Sequence, residues 1–370
     1  MSTEYKRRPR PNGPSEGTRS AFPLQSIDMK FNTGVVICAV AAWGSHTQAH
    51  AACPEEVSEN ACSLFTESMA YLDNYWDPKA GYLFNPNAPA ALRHETRLSS
   101  WYAIGLLARN QGDDVLNAER VLTDIIHGQY KDPADQWYGT YQKEPEEPMV
   151  GSPVYPAEIY GSWDPNWRGF IGTAMIVGME EYSHLLSGEV QELILESLHN
   201  NTVGDSYREG GVDGDNLYPA YSNPVLMRAF VSGWTGRRLN DSNMTWAGEH
   251  YANEIIALFN KTDTLSEFNG PTYFGISLYA LTLWDMFMPA DSVLKQNGKR
   301  MAKKTYETIG ELWHPGMQNL AGPWDRTFGY DMNKYYAVMA GWLWVLVGKE
   351  KSSVYEKVCN DHHQHPSRQD

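Results

Sequence analysis

With 370 residues, 42% of them apolar and 12% aromatic, the chain can bury a large core, and length alone allows one to three domains. A formal charge of −15 with no basic stripe excludes polyanionic partners, nucleic acid first among them. No Gly-x-Ser-x-Gly elbow, His-Glu-x-x-His, P-loop or dinucleotide fingerprint occurs, so hydride and phosphoryl chemistry have no support and no cofactor is expected.

In chain order, residues 1–28 are polar, basic and rich in Pro and Gly, which reads as a disordered segment or an extension upstream of a start at Met29. Residues 29–52 read as a secretory signal: Met29-Lys30, then the apolar GVVICAVAAW, then a small-residue stretch ending AHAA. The apolar run is too short for a stable membrane anchor. Removal of residues 1–51 takes away six Lys or Arg and three Asp or Glu, so the formal charge moves from −15 to −18. Four sequons, beginning at Asn200, Asn240, Asn243 and Asn260, agree with passage through a secretory lumen, and the expected localisation is extracellular. Cys53, Cys62 and Cys359 then leave one disulfide, closing either Cys53 to Cys62 or the N-terminal segment to Cys359. No CxxC spacing exists and no metal site is expected.

Residues 53–350 read as one catalytic domain and 351–370 as a tail. A first helix is expected over 55–75, ended by the turn-prone DPKAGY at Asp77 to Tyr82. Five apolar helices follow, each led by a cluster of aromatic, acidic and amide residues and beginning near Arg97, Asn166, Asn223, Pro271 and Tyr330. The steps between them are 69, 57, 48 and 59 residues, about one helical hairpin each. Amphipathic helices are expected between them at 113–129, 188–200, 243–262 and 293–312. Strand signals are scarce, and the Pro-rich segment 144–165 reads as a long irregular loop. Counting the helix at 55–75 among the inner ones gives six, and the simplest closed solution is an all-α, (α/α)6 toroid. An open solenoid is the alternative, with repeats more uniform than these.

In such a toroid the residues just before each inner helix converge in one funnel. They are His94, Glu95 and Arg97; Glu158, Trp163, Asp164, Asn166, Trp167 and Arg168; Glu209, Asp213, Asp215, Tyr218, Tyr221 and Asn223; Glu267, Asn269 and Tyr273; and Trp324, Asp325, Arg326, Tyr330 and Asp331. Flat aromatics stack on a sugar ring, and paired carboxylates supply an acid and a base for glycosidic cleavage. The acid/base candidates are Asp164, Glu209 and Asp325. Tyr273, beside Asn269, could act as base in β-elimination of a uronic acid. The remaining residues of the site, Trp163, Asn166, Trp167, Arg168, Asp215, Tyr218, Tyr221, Glu267, Asn269, Trp324, Arg326 and Tyr330, are expected to bind substrate. Capping is the alternative reading of Asp164, with Pro165 in the first turn, and the preferred reading of Asp331 at the last apolar helix. Trp101, Trp284, Trp342 and Trp344 sit inside apolar helices and are assigned to packing.

The pattern resembles the (α/α)6 toroid enzymes, a fold shared by glycoside hydrolases and polysaccharide lyases. Over residues 90–310 it also resembles the linalool dehydratase/isomerase family, on Trp167-Arg168-Gly169, Glu181-Tyr182 and EGGVDGDNLYPAYSN from Glu209. Where that family has a His after the basic-Gly pair this chain has Phe170, and at its two functional cysteines it has Gly211 and Ser222. The first resemblance implies a secreted hydrolase or lyase on an oligo- or polysaccharide. The second implies a lyase or isomerase on a terpenoid or small alcohol. A glycan-binding protein without catalysis would keep the aromatics and need no paired carboxylates. Oligomeric state is left open.

Overall fold

A computed structural model describes residues 57–85, 93–208, 217–316, 319–324 and 336–352. Among these the chain is all-α in class, with ten α-helices and two pairs of two-residue strands. The elements in order are α1 (Glu59–Asp73), β1 (Trp76–Asp77), β2 (Tyr82–Leu83), α2 (Thr96–Arg109), α3 (Asp114–His127), α4 (Trp167–Glu181) and α5 (Gly188–Ser206). They continue with α6 (Ser222–Leu239), α7 (Ser242–Phe259), α8 (Pro271–Phe287), α9 (Val293–Leu312), β3 (Trp313–His314), β4 (Asn319–Leu320) and α10 (Tyr336–Val347). The strand pairs are antiparallel, with Trp76 opposite Leu83 and Trp313 opposite Leu320.

Burial separates two sets of helices. Along α4 and α6 nearly every side chain is buried, including Arg168, Thr173, Asn223 and Arg228, whereas α9 buries one stripe, Leu294, Gly298, Met301 and Thr305, and exposes its charges. The helix α6 lies against α7 closely enough that a Cβ on Gly248 would fall on the backbone of Gly233. Contacts pass from α1 to α2, α2 to α4, α4 to α6, α6 to α8, α8 to α10 and α10 to α1. The amphipathic helices α3, α5, α7 and α9 pack on α2, α4, α6 and α8 respectively.

Three features differ from the sequence expectation. The helix expected to end near residue 200 continues to Ser206, because Asn201, fully buried, donates from Nδ2 to the Arg168 carbonyl at 2.6 Å and holds the polar stretch helical. Helix α1 is not the buried inner helix expected over 55–75: Met69 is its one buried residue, since Glu59, Glu67 and Asp73 give it polar faces. It lies along α10 in the opposite sense, Asn60 donating to the Val345 carbonyl at 3.3 Å and Leu64 lying beside Gly341. Finally, Asp164 is two residues before the N-cap of α4, which is Asn166, so Pro165 is not in the first turn.

The segment between α3 and α4 is a long loop of turns and isolated bridges, as its prolines require. It has its own small core of Tyr130, Val150 and Trp163. Cys62 is disulfide-bonded. Its partner, like the expectations for residues 1–52, Cys53, Cys359 and the tail from 353, lies outside the described residues. No described helix is long and apolar enough to cross a membrane.

Candidate active site

The N-terminal ends of the apolar helices are tied together by side chains. In the first turn of α2, Arg97 lays its guanidinium 5.1 Å from the Trp167 ring centroid and 4.9 Å from that of Phe170, both on α4. Asn166, at the start of α4, donates to the Tyr221 hydroxyl at 3.3 Å and accepts from Arg208 at 3.1 Å. From the loop before α8, Glu267 reaches α6, where its Oε2 accepts from the Ser222 N–H at 3.0 Å and from Asn223 Nδ2 at 3.5 Å. Asn269 donates to the Pro323 carbonyl, next to Trp324. Entrance residues of α2, α4, α6 and α8 and the segment leading toward α10 therefore form one connected rim.

Ser187, Asp241 and Ser292 cap α5, α7 and α9 with their own side chains, whereas the residues at the N-cap of α2, α4, α6 and α8, like Asp113 before α3, make no side-chain cap bond. Uncapped amide ends at a shared rim bring partial positive charge together, which favours carboxylates there. Glu267 is the direct case, because its carboxylate takes the first amide of α6 from another element.

Two further carboxyls meet this rim. Glu95 Oε1 lies 3.1 Å from Arg97 Nη2, and burial pushes the Glu95 carboxyl above its ordinary range while Arg97 pulls it back in part. Asp164 Oδ1 accepts from the Asn166 N–H at 2.8 Å. Burial raises its proton affinity against the opposing pull of that bond and of Arg97, Arg208 and Lys143. Both residues are surrounded by protein yet keep accessible surface.

Below the rim, aromatic rings join α2, α4 and α8. Trp101 of α2 packs on Phe170 of α4 and on Tyr279 of α8, at 6.1 and 6.0 Å between centroids, and its indole donates to the Phe170 carbonyl at 3.0 Å. Tyr279 is hydrogen-bonded to Thr173, and burial pushes its hydroxyl up to about 12. It too keeps accessible surface.

The sequence candidates fall into four groups. Asp164, Asn166, Trp167, Tyr221, Glu267 and Asn269 meet at the rim. Tyr273 is half-buried in the first turn of α8, Tyr218 is exposed, and Trp324 is buried with its indole donating to the Leu320 carbonyl at 3.2 Å. Trp163 and Arg168 turn away. Trp163 packs against Trp137 in the loop core, and Arg168, 1% exposed, donates to the Tyr138 and Gln136 carbonyls and faces Asp205 of α5 at 3.6 Å. Substrate binding expected of these two is replaced by packing, because each has its polar atoms held in the interior. Glu209, Asp213, Asp215, Asp325, Arg326, Tyr330 and Asp331 lie outside the described residues.

Glu95 and Arg97 carry a sequence signal, since they precede an apolar helix, yet the sequence gives them no role. Tyr279 and Trp101 carry none, because an aromatic inside an apolar helix looks like any core residue. His94 stacks on Phe84 at 4.3 Å and sits between Glu146 and Asp77, the latter at 3.4 Å. Among the described residues no group of three or more His, Cys, Asp or Glu is placed to hold a metal ion. Two shallow concavities, about 510 and 410 Å³, lie at the other end of the helices, beside Asn240 and beside Met286, away from the rim.

What these features define is a helical protein with an acidic and aromatic rim at one end of its apolar helices. The chain belongs to a family described as a domain of unknown function (DUF8769), whose model matches residues 62–368. No curated protein and no solved structure matches it.

Proposed function

We propose that the chain is a secreted carbohydrate-active enzyme, a glycoside hydrolase or polysaccharide lyase, built as an (α/α)6-type toroid with its substrate bound at the rim. The cyclic order of helix contacts supports the toroid, with α1 taking the sixth place between α10 and α2. One observation carries the activity. Asp164 and Glu95, two carboxyls raised by burial, share the field of Arg97, which is itself stacked on Trp167 and Phe170. A carboxyl whose proton affinity is raised can donate to a glycosidic oxygen, and a second carboxylate can activate water or attack the anomeric carbon. The aromatic faces would take the apolar face of a sugar and Asn166, Tyr221 and Asn269 its hydroxyls. Glu209, Asp325 and Tyr273 remain the sequence's candidates for the second catalytic group.

A panel of oligo- and polysaccharides incubated with the secreted protein tests this. One glycan is expected to be cleaved, with Asp164→Asn slower by about a hundredfold or more. Full activity of Asp164→Asn on that glycan would overturn the assignment. The floor of Trp101, Phe170 and Tyr279, whose hydroxyl meets Thr173, favours a second reading, a dehydratase or isomerase on a small apolar alcohol. Conversion of a terpenoid alcohol with every glycan left intact would select it.

A further inference from the structure

The four sequons are not equivalent in the folded chain. Asn200 lies inside α5, where its Oδ1 accepts from the Tyr138 hydroxyl at 2.8 Å and its Nδ2 points to Gln129 Oε1 at 3.4 Å. Gln129 is buried and donates to the Gly139 and Ser197 carbonyls. A sugar on Asn200 Nδ2 would be driven toward that buried amide, and Thr202 of the same sequon is buried as well. A chain modified there could not close α5 onto the loop carrying Tyr138 and Gly139.

The α6–α7 turn is the opposite case. Two sequons run in tandem there, Asn240-Asp241-Ser242 and Asn243-Met244-Thr245, and both asparagines are exposed. Asn240 takes a left-handed backbone conformation, φ 57°, at the end of α6, and Asp241 accepts from the Asn243 and Met244 N–H groups at 2.8 and 3.0 Å, fixing the turn without either acceptor side chain. The concavity of about 510 Å³ opens at this point, lined by Asn240, Asp241, Ser242, Thr245 and Trp246. Trp246 is 63% exposed, three residues after Asn243 on the same helix face, and its ring is stacked on His250 at 4.9 Å and 8°. An exposed indole held flat beside an acceptor asparagine is a platform for the apolar face of an N-acetylhexosamine. Asn260 is exposed too, with Oδ1 accepting from Arg300 at 2.7 Å, but the turn is where two acceptors, a concavity and an indole coincide.

We propose that the tandem sequon at the α6–α7 turn carries an N-linked glycan whose first sugar lies against Trp246, and that the Asn200 sequon stays bare. The glycan would stand at the end of the helices away from the rim and leave substrate access open. This rests on the secretory reading, so the test separates the two. The full chain is expressed in a eukaryotic secretory host twice, with its own leader and behind a foreign one. N-glycans are then released enzymatically in heavy-oxygen water, and the conversion of Asn to labelled Asp is mapped by peptide. The expected result is label at Asn240 or Asn243 and none at Asn200. Bare Asn240 and Asn243 in folded, secreted protein, or label at Asn200, would overturn the proposal. Export only behind the foreign leader, with the same map, would sink the secretory reading and leave the acceptor assignment standing. Trp246→Ala is expected to make glycan release from the native protein several-fold faster, and an unchanged rate would remove the indole from the account.

Discussion

At the scale of single residues, burial raises the proton affinity of Asp164 and Glu95 against the opposing pull of nearby cations, Arg97 above all. Asp164 and Glu95 both have a proton affinity above the ordinary values of 3.8 and 4.5 in the folded chain. The folded state therefore binds more protons than the unfolded one across that window. Their contribution to stability is full below the ordinary values and is lost as pH rises through the raised ones. Asp164→Asn and Glu95→Gln remove the ionisation. The melting temperature of each variant, taken relative to the parent chain, is expected to rise between about pH 4 and pH 8. A difference constant over that range would mean that the fold does not raise their proton affinity. Asp77 and Glu307 have lowered values from hydrogen bonds and from Lys304, but they are present in both chains and cancel in the comparison.

At the scale of elements, the rim exists because neighbouring helices are held in register close to one another. Gly248 and Gly233 set the approach of α7 to α6, and α6 supplies both Asn223 and the amide that Glu267 holds. Gly248→Ala places a methyl on the facing backbone, an overpacking expected to cost about 1–3 kcal/mol. Chemical denaturation would show it as a lower midpoint with an unchanged slope. An unchanged midpoint would mean the two backbones can separate freely.

The positions of most helices are readable in the sequence, because an apolar stripe or an apolar run declares itself by period: α9 is Val293–Leu312 where 293–312 is expected, and α8 begins at Pro271. The continuation of α5 through Asn200 and Asn201 is not readable, since it depends on bonds to Arg168 and Tyr138 from other elements. The site is partly readable for the same reason. Position before a helix selects Asp164, Asn166 and Glu267, but nothing local distinguishes Trp163, which turns into a loop core, from Trp167, which lies beneath Arg97. Tyr279 reads as core until Trp101 and Phe170 are placed around it.

For the whole molecule, the proposed toroid depends on the first and last helices meeting. Lys349, just after α10, lies 2.7 Å from both carboxylate oxygens of Glu67 on α1. Arg109 meanwhile bonds Asp73 of α1 at 2.7 Å and Asp114 of α3 at 2.8 and 2.9 Å, joining α1 to the hairpin that follows. Both members of the Lys349 pair are partly exposed, so their coupling is expected to be about 0.5 kcal/mol. In a double-mutant cycle, Glu67→Lys should lower stability and Lys349→Glu should restore it in the double variant. Additive losses would indicate that residues 282 apart in sequence do not meet, as in an open stack. The proposed role of the rim is tested most directly by hydrogen exchange of the protein with and without whichever substrate the panel yields. Added protection is expected at residues 94–101, 163–170, 221–223 and 267–273, the rim and the turns beneath it. Protection confined to residues 234–246 and 286–293, at the other end of the helices, would contradict it.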